Sequence, residues 1–344
     1  MNIKDILARY LGKLEEKIDL EHQAHVRKVY ERVFAFEEMD ELPFIYADLE
    51  TRASDKDWPI FAYNDEFQDP AKMLLNQLRN VFFAVQVRDY RPLNIRCNYG
   101  TVILPSIMGG SYQLTETSMP WAHHLKSRDE IRRIIDAGLP DVENGLGKRC
   151  FDTASYYMET LSCYPKLKKA VSIYHPDLQG PFDVAHLLWG QDIFLALYDD
   201  PELVHSLLSL ITETYRQFMR RWKSFIPEGN DFTTHWQFYI KGGIMLRDDT
   251  AIMLSKKQYE EFVKPYDEAL LEEFGGCIHF CGRGDHLISS MSASNGLYGI
   301  HSSQPELNDI SLLLSSTQNN KVVLLGLAEK FLTDDIKTGI ILIK

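Results

Sequence analysis

The chain has 344 residues, 45% of them hydrophobic and 25% charged, with a formal net charge of −12 at pH 7. That length allows two ordinary domains or one large α/β barrel of about 250 residues with an extension, and a core that needs no covalent staples. The acidic balance, with Lys and Arg scattered among acids, excludes a broad nucleic-acid surface. No apolar run approaches the roughly 18–20 residues of a membrane span, so no membrane association is expected. Met1–Leu20 lacks the basic start, apolar core and small-residue cleavage site of a secretory signal. Five scattered cysteines, Cys97, Cys150, Cys163, Cys277 and Cys281, argue against a disulfide framework. The expected compartment is the reducing cytoplasm.

In chain order, Ile3, Ile6, Leu7, Tyr10, Leu11 and Leu14 recur at helical spacing, and residues 1–40 read as one or two amphipathic helices. Pro43, Pro59 and Pro70 interrupt the next stretch. Residues 1–90 are therefore taken as a helical extension, and 91–344 as the α/β body. A helix is predicted near 70–88, a strand between Leu93 and Leu104, and a helix opened by the capping box Ser127-Arg-Asp-Glu130. Ala170–Tyr174 reads as a strand and is followed by a helix near Phe182. Asp200-Pro201 opens a long helix to Phe225. Phe232–Tyr239 and Ile244–Leu246 read as strands. Ser255 to Gly275 is a helix kinked by Pro265, and strands at 277–281, 297–301 and 322–325 alternate with short helices.

Alternating strand and helix is the pattern of a parallel sheet with crossover helices. About seven strands are visible, so closure into eight is not read from pattern alone. No GxGxxG or Walker loop occurs, which removes the commonest nucleotide-binding readings. The last residues, Ile340-Ile-Leu-Ile-Lys344, stand where a closing helix is expected.

The densest chemistry is Cys277-Ile-His279-Phe-Cys281. On a strand these three side chains share a face, with neighbours roughly 7 Å apart at Cα. Two such neighbours can share one zinc ion and three hardly can, because Zn–N and Zn–S bonds span only about 2.0–2.3 Å. The favoured pair is His279 and Cys281, nearest the strand's C-terminal end, where α/β sheets place their sites. Cys277 lies one layer deeper. Buried filler is the alternative reading of all three.

Several short blocks resemble the uroporphyrinogen decarboxylase superfamily, which includes the corrinoid-dependent methyltransferases. They are Gln179-Gly-Pro-Phe-Asp-Val-Ala185 with Gly190, then Leu197-Tyr-Asp-Asp-Pro-Glu-Leu-Val204, then Arg247-Asp-Asp249 with Leu254-Ser255 and Tyr259-Glu-Glu-Phe-Val-Lys-Pro-Tyr266. Ile278-His-Phe-Cys-Gly282 is similar to the His-x-Cys-Gly segment of the zinc methyltransferase branch. The resemblance spans residues 165–330 and implies an α/β fold of the (β/α)8 TIM-barrel type carrying the N-terminal extension, with zinc at His279 and Cys281. That branch has a third ligand, a Cys after the last barrel strand. Here Leu325-Gly-Leu-Ala-Glu-Lys330 stands in its place, so Glu329, or alternatively His301, is the substitute. The Arg-rich N-terminal signature of true uroporphyrinogen decarboxylases has no counterpart.

The leading expectation is a methyltransferase that moves a methyl group to or from a corrinoid carried on a partner protein, with zinc activating the acceptor. Asp248 and His175 are the candidate catalytic groups for acid assistance to a small-molecule substrate, or Asp248 and Asp249 orient a substrate or a histidine. Asp177, His235, Arg247 and Arg96 are the candidate substrate-binding residues. The alternatives are a cofactor-free decarboxylase of a tetrapyrrole or other acid, which requires arginines such as Arg96 and Arg247 to converge, and a non-catalytic barrel that binds a corrinoid protein or small ligand.

Overall fold

The computed structural model describes residues 2–53, 57–226, 231–333 and 336–344. Its strands are Phe44–Ile45 (β1), Asn94–Arg96 (β2), Ser111–Gln113 (β3), Trp121–His123 (β4), Ser172–Tyr174 (β5), Phe232–His235 (β6), Phe238–Lys241 (β7), Ile244–Arg247 (β8), Gly276–Phe280 (β9), Leu297–Ser302 (β10), Val323–Ala328 (β11) and Ile340–Ile343 (β12). A six-stranded sheet has the order β1-β12-β11-β10-β9-β8, and every pairing in it is parallel. β2 and β5 form a second parallel pair, while β3–β4 and β6–β7 are antiparallel hairpins. Helices separate the parallel strands, as the alternation in the sequence requires. No helix among the described residues is long and apolar enough to cross a membrane.

Strand periodicity sorts the core into two faces. Ile244, Leu246, Ile278 and Ile300 point to the helices and join the main apolar cluster. Met245, Cys277, Val323, Leu325, Ile341 and Ile45 face the other way and form a separate cluster. Into this second cluster the hairpin inserts Phe238 and Ile240, and the helix Leu20–Phe34 adds Val26, Tyr30 and Val33. Both faces of the sheet are thereby covered, which explains why β9 is buried along its whole length.

Five local expectations change. The strand predicted between Leu93 and Leu104 stops at Arg96, because Gly100 turns the chain at φ +74° and a short helix, Ile103–Ile107, follows. The single strand predicted over Phe232–Tyr239 is a hairpin, reversed at Trp236, whose φ is +55°. β1 lies in the Pro-interrupted stretch and has only two residues. The segment expected as a closing helix is β12, which pairs with both β11 and β1. The helix predicted from Ser255 to Gly275 is two helices, Lys256–Phe262 and Lys264–Phe274, broken at Val263 just before Pro265. Ser255 and Gln258 complete the predicted capping box.

The eight parallel strands do not form one closed hydrogen-bonded ladder among the described residues. Between β1 and β2 the link is Tyr90 N–H donating to the Phe44 carbonyl at 3.1 Å. Past the ends of β5 and β8, Gly180 N–H donates to the Arg247 carbonyl at 2.8 Å. A cavity accompanies each opening. One of about 370 Å³ touches Arg91, Asn94, Tyr174 and Trp236, and one of about 530 Å³ lies between β5 and β6.

Candidate metal centre

Three adjacent strands build the site by register. Arg247 of β8 is paired with His279 of β9, and His279 with His301 of β10. Residues paired across parallel strands point the same way, so the guanidinium and the two imidazoles form a row. The ladder continues one residue beyond β8, where Asp248 N–H donates to the His279 carbonyl at 2.8 Å.

Beyond Arg247 the alternation carries Asp249 to the same side as His279. Asp249 Oδ1 lies 3.6 Å from His279 Nε2 and accepts the Cys281 backbone N–H at 2.7 Å. Cys281 Sγ is 3.3 Å from His279 Nε2. Asp249, His279 and Cys281 thus offer one oxygen, one nitrogen and one sulfur, all within 4.8 Å of one another. A tetrahedral site with bonds of about 2.0–2.3 Å sets its ligand atoms roughly 3.3–3.8 Å apart, and the 3.3 and 3.6 Å separations from His279 Nε2 fall in that range. The donor types suit it too, and an ionised Asp and Cys with a neutral His would balance a dication.

The other ring nitrogen of His279 is also engaged: its Nδ1 is 2.8 Å from Nδ1 of His301. Above the pair sits the indole of Trp236, edge-on to His279 at 5.3 Å and to His301 at 6.0 Å. The Arg247 guanidinium lies 4.4 Å over that indole. Burial, helped by His301 and Arg247, lowers the His279 pKa to about 2. Burial and Arg247 lower that of His301 to about 3. Both rings are therefore neutral, as metal ligation requires. Burial raises the Asp249 carboxyl and the Cys281 thiol above their usual ranges.

Beside this group lies a buried polar cluster made of the predicted substrate-binding residues. Asp177 is 3.3 Å from Arg96 Nη1 and 2.9 Å from Arg247 Nε. The second contact is a charge contact only, since the Arg247 Nε–H is not aimed at the oxygen. Gln179 donates to Asp177 as well. Arg247 Nη2 donates to His235 Nε2 at 3.3 Å, which leaves the His235 Nδ1–H buried without a partner. Burial, with His175 and Arg247 nearby, holds His235 neutral, well below its ordinary pKa. One carboxylate thus balances two arginines, leaving a net positive charge beside the metal group.

The remaining predicted residues have other commitments, although the His175 ring lies 4.6 Å from that of His235. His175 has both nitrogens committed to backbone: the Met245 N–H donates to Nε2 at 3.1 Å, so Nδ1 donates to the Pro176 carbonyl at 2.8 Å. Burial lowers its pKa to about 4. It fastens β5's exit to β8. Asp248 points away from His279, fully buried, toward Asp267 of the helix Lys264–Phe274. Among the described residues no N–H or hydroxyl reaches either of those carboxyls. Glu329 stands in a single turn after β11 and pairs with Lys344 at 2.9 Å. The structure therefore places Asp249, rather than Glu329, with His279 and Cys281. His301 approaches His279 from the far side of the ring. Asp249 was legible: if Arg247 faces inward, period-two alternation sends Asp248 out and Asp249 in.

A comparison with curated proteins finds no match. Residues 84–326, well over half of the chain, match the family described as "Uroporphyrinogen decarboxylase (URO-D)". That span holds β2 to β10, the Asp249, His279 and Cys281 donors and the Arg96–Asp177–Arg247 cluster. The chain belongs to the uroporphyrinogen decarboxylase (URO-D) family.

Proposed function

We propose that this chain is a URO-D-family methyltransferase that moves a methyl group to or from a corrinoid on a partner protein, with zinc held by Asp249, His279 and Cys281. The carrying observation is the O, N and S donor set gathered within 4.8 Å at the C-terminal ends of β8 and β9. We read the eight parallel strands as one (β/α)8 barrel, with the Tyr90–Phe44 and Gly180–Arg247 backbone links in place of ladder pairing at its two openings. When bound, zinc would supply Lewis acidity, lowering the pKa of a thiol or water at its open position.

The chain's own residues do the rest. His301 fixes the His279 ring so that Nε2 points at Cys281 Sγ. Asp249 holds the Cys281 backbone N–H and so sets the thiol's position. Trp236 walls off solvent above His279. The positive Arg96–Asp177–Arg247 cluster orients an electron-rich substrate beside the donors.

The decarboxylase reading draws support from the convergence of Arg96 and Arg247. Against a multiply charged tetrapyrrole, Asp177 offsets one of the two guanidinium charges and leaves a single net cation. Two measurements on one preparation test the proposal. Metal analysis of chelator-free protein is expected to give zinc near one equivalent, lost in His279→Ala and Cys281→Ala. Incubation with methylcobalamin and a thiol is expected to shift the cobalamin spectrum faster with zinc-loaded protein than with either variant. Metal-free, folded protein that leaves methylcobalamin untouched sinks the reading.

A further inference from the structure

The 530 Å³ cavity lies at the opposite end of the strands from Asp249, His279 and Cys281. It is bounded where β5 and β6 begin, whereas His279 and Cys281 stand at the end of β9. Its cause is topological. β5 takes its partner from β2 and β6 takes its partner from β7, and no backbone hydrogen bond joins β5 to β6 among the described residues. The helix Leu20–Phe34 spans the opening without filling it.

The lining has a marked chemical bias. Three cationic side chains, Arg27, Lys168 and Lys169, contribute to it, and no acidic residue does among the described residues. Arg27 gives its Nε to Glu31 at 3.1 Å, but its Nη2 is buried without a partner among the described residues. Lys168 and Lys169 have no ion pair among the described residues. Two further lining side chains carry a buried polar atom without a partner among the described residues: Thr234, 2% exposed, through Oγ1, and Gln23, 9% exposed, through Oε1. Leaving such groups unsatisfied is costly, so a folded protein keeps them where something else completes the bonding. Much of the remaining wall is apolar, from Leu20, Met158, Leu161, Ile226 and Phe232.

We infer that this cavity is a binding site for a small amphipathic organic anion, a carboxylate whose head meets Arg27, Lys168 and Lys169 and whose apolar body lies along Met158, Leu161 and Ile226. Three cations, with no acid among the described lining residues, select a negative head, and a hydrocarbon wall selects a tail over inorganic anions. The site stands apart from the proposed metal chemistry and does not depend on it.

Isothermal titration of the full chain with sodium hexanoate, hexanamide and inorganic phosphate tests this. Hexanoate is expected to bind one to one, about tenfold or more tighter than hexanamide or phosphate. The triple change Arg27→Gln, Lys168→Gln, Lys169→Gln is expected to erase the preference for hexanoate over hexanamide. Ala24→Phe, which fills the cavity, is expected to abolish binding of both, with circular dichroism confirming the fold. His279→Ala is expected to leave hexanoate binding unchanged, which separates this site from the metal group. No hexanoate binding at millimolar concentration overturns the inference. So does equal affinity for the amide, phosphate binding as tight as hexanoate, or binding indifferent to both Ala24→Phe and the triple change.

Discussion

His279 and His301 meet Nδ1 to Nδ1 at 2.8 Å, and two imidazole nitrogens that close must share one proton. If Nε2 of His279 is to face Cys281 as a ligand, its Nδ1 carries that proton and His301 accepts it. The second ring then fixes both tautomer and orientation of the first, in the manner of outer partners in metal sites. Replacing His301 by Ala is expected to weaken zinc binding about 10–100-fold in competition with a chelating dye, with secondary structure retained. His301→Gln, which restores an acceptor, is expected to recover part of the loss. Unchanged affinity in His301→Ala would remove the positioning role.

Asp249 and Glu329 offer a direct contrast. Only Asp249 is within reach of His279 Nε2, at 3.6 Å, while Glu329 is paired with Lys344. Asp249→Ala is expected to release the metal, and Glu329→Ala to leave its stoichiometry intact. Measured zinc content of the two purified variants decides between them.

Gly180 is required by a close approach rather than by a turn. A Cβ there would stand 2.4 Å from Asp248 Oδ1 and 2.9 Å from the Arg247 carbonyl. Gly180→Ala must displace either a fully buried carboxyl or the strand end that carries Asp249. A loss of about 1–3 kcal/mol in denaturant unfolding is expected, as for other overpacked sites.

Asp267 and Asp248 face each other in the core, and burial raises the Asp267 pKa to about 8. In the unfolded chain the group ionises near 3.8. Between those values the folded state holds more protons, so stability falls as pH rises and the penalty is complete above about 8. Asp267→Asn is expected to flatten that decline when unfolding free energy is measured from pH 5 to 9. An equally steep decline in the variant would show that the proton lies elsewhere.

Asp177 compensates two buried arginines at once. Removing it strands both, whereas Arg96→Leu leaves the Asp177–Arg247 contact in place. Asp177→Ala is expected to destabilise by about 3–5 kcal/mol, more than Arg96→Leu, in matched urea titrations.

Much of this arrangement could be read from the chain because strand periodicity is strict. Cys277, His279 and Cys281 sorted themselves by alternation, and the core bears out Cys277 as a buried inner-face residue. The same rule applied to β8 would have separated Asp248 from Asp249. Other features depend on contacts that no local pattern encodes. β1 has two residues, too few for a periodic signal, and exists because β12 pairs with it. The reversal at Trp236 needs a left-handed residue where neither Gly nor Asn marks the turn. The commitment of His175 to two backbone groups became visible only once β8 lay beside β5's exit loop.

The pairing of Phe44 with Leu342 and of Ile45 with Ile343 has a consequence for how the molecule comes into being. A strand near one end of this sequence waits for a partner near the other. During synthesis β1 therefore emerges without a partner until β12 follows. Contacts this distant along the chain form late and slowly. Until then the edge of β1 is open to pairing with other chains, the exposure that aggregation exploits.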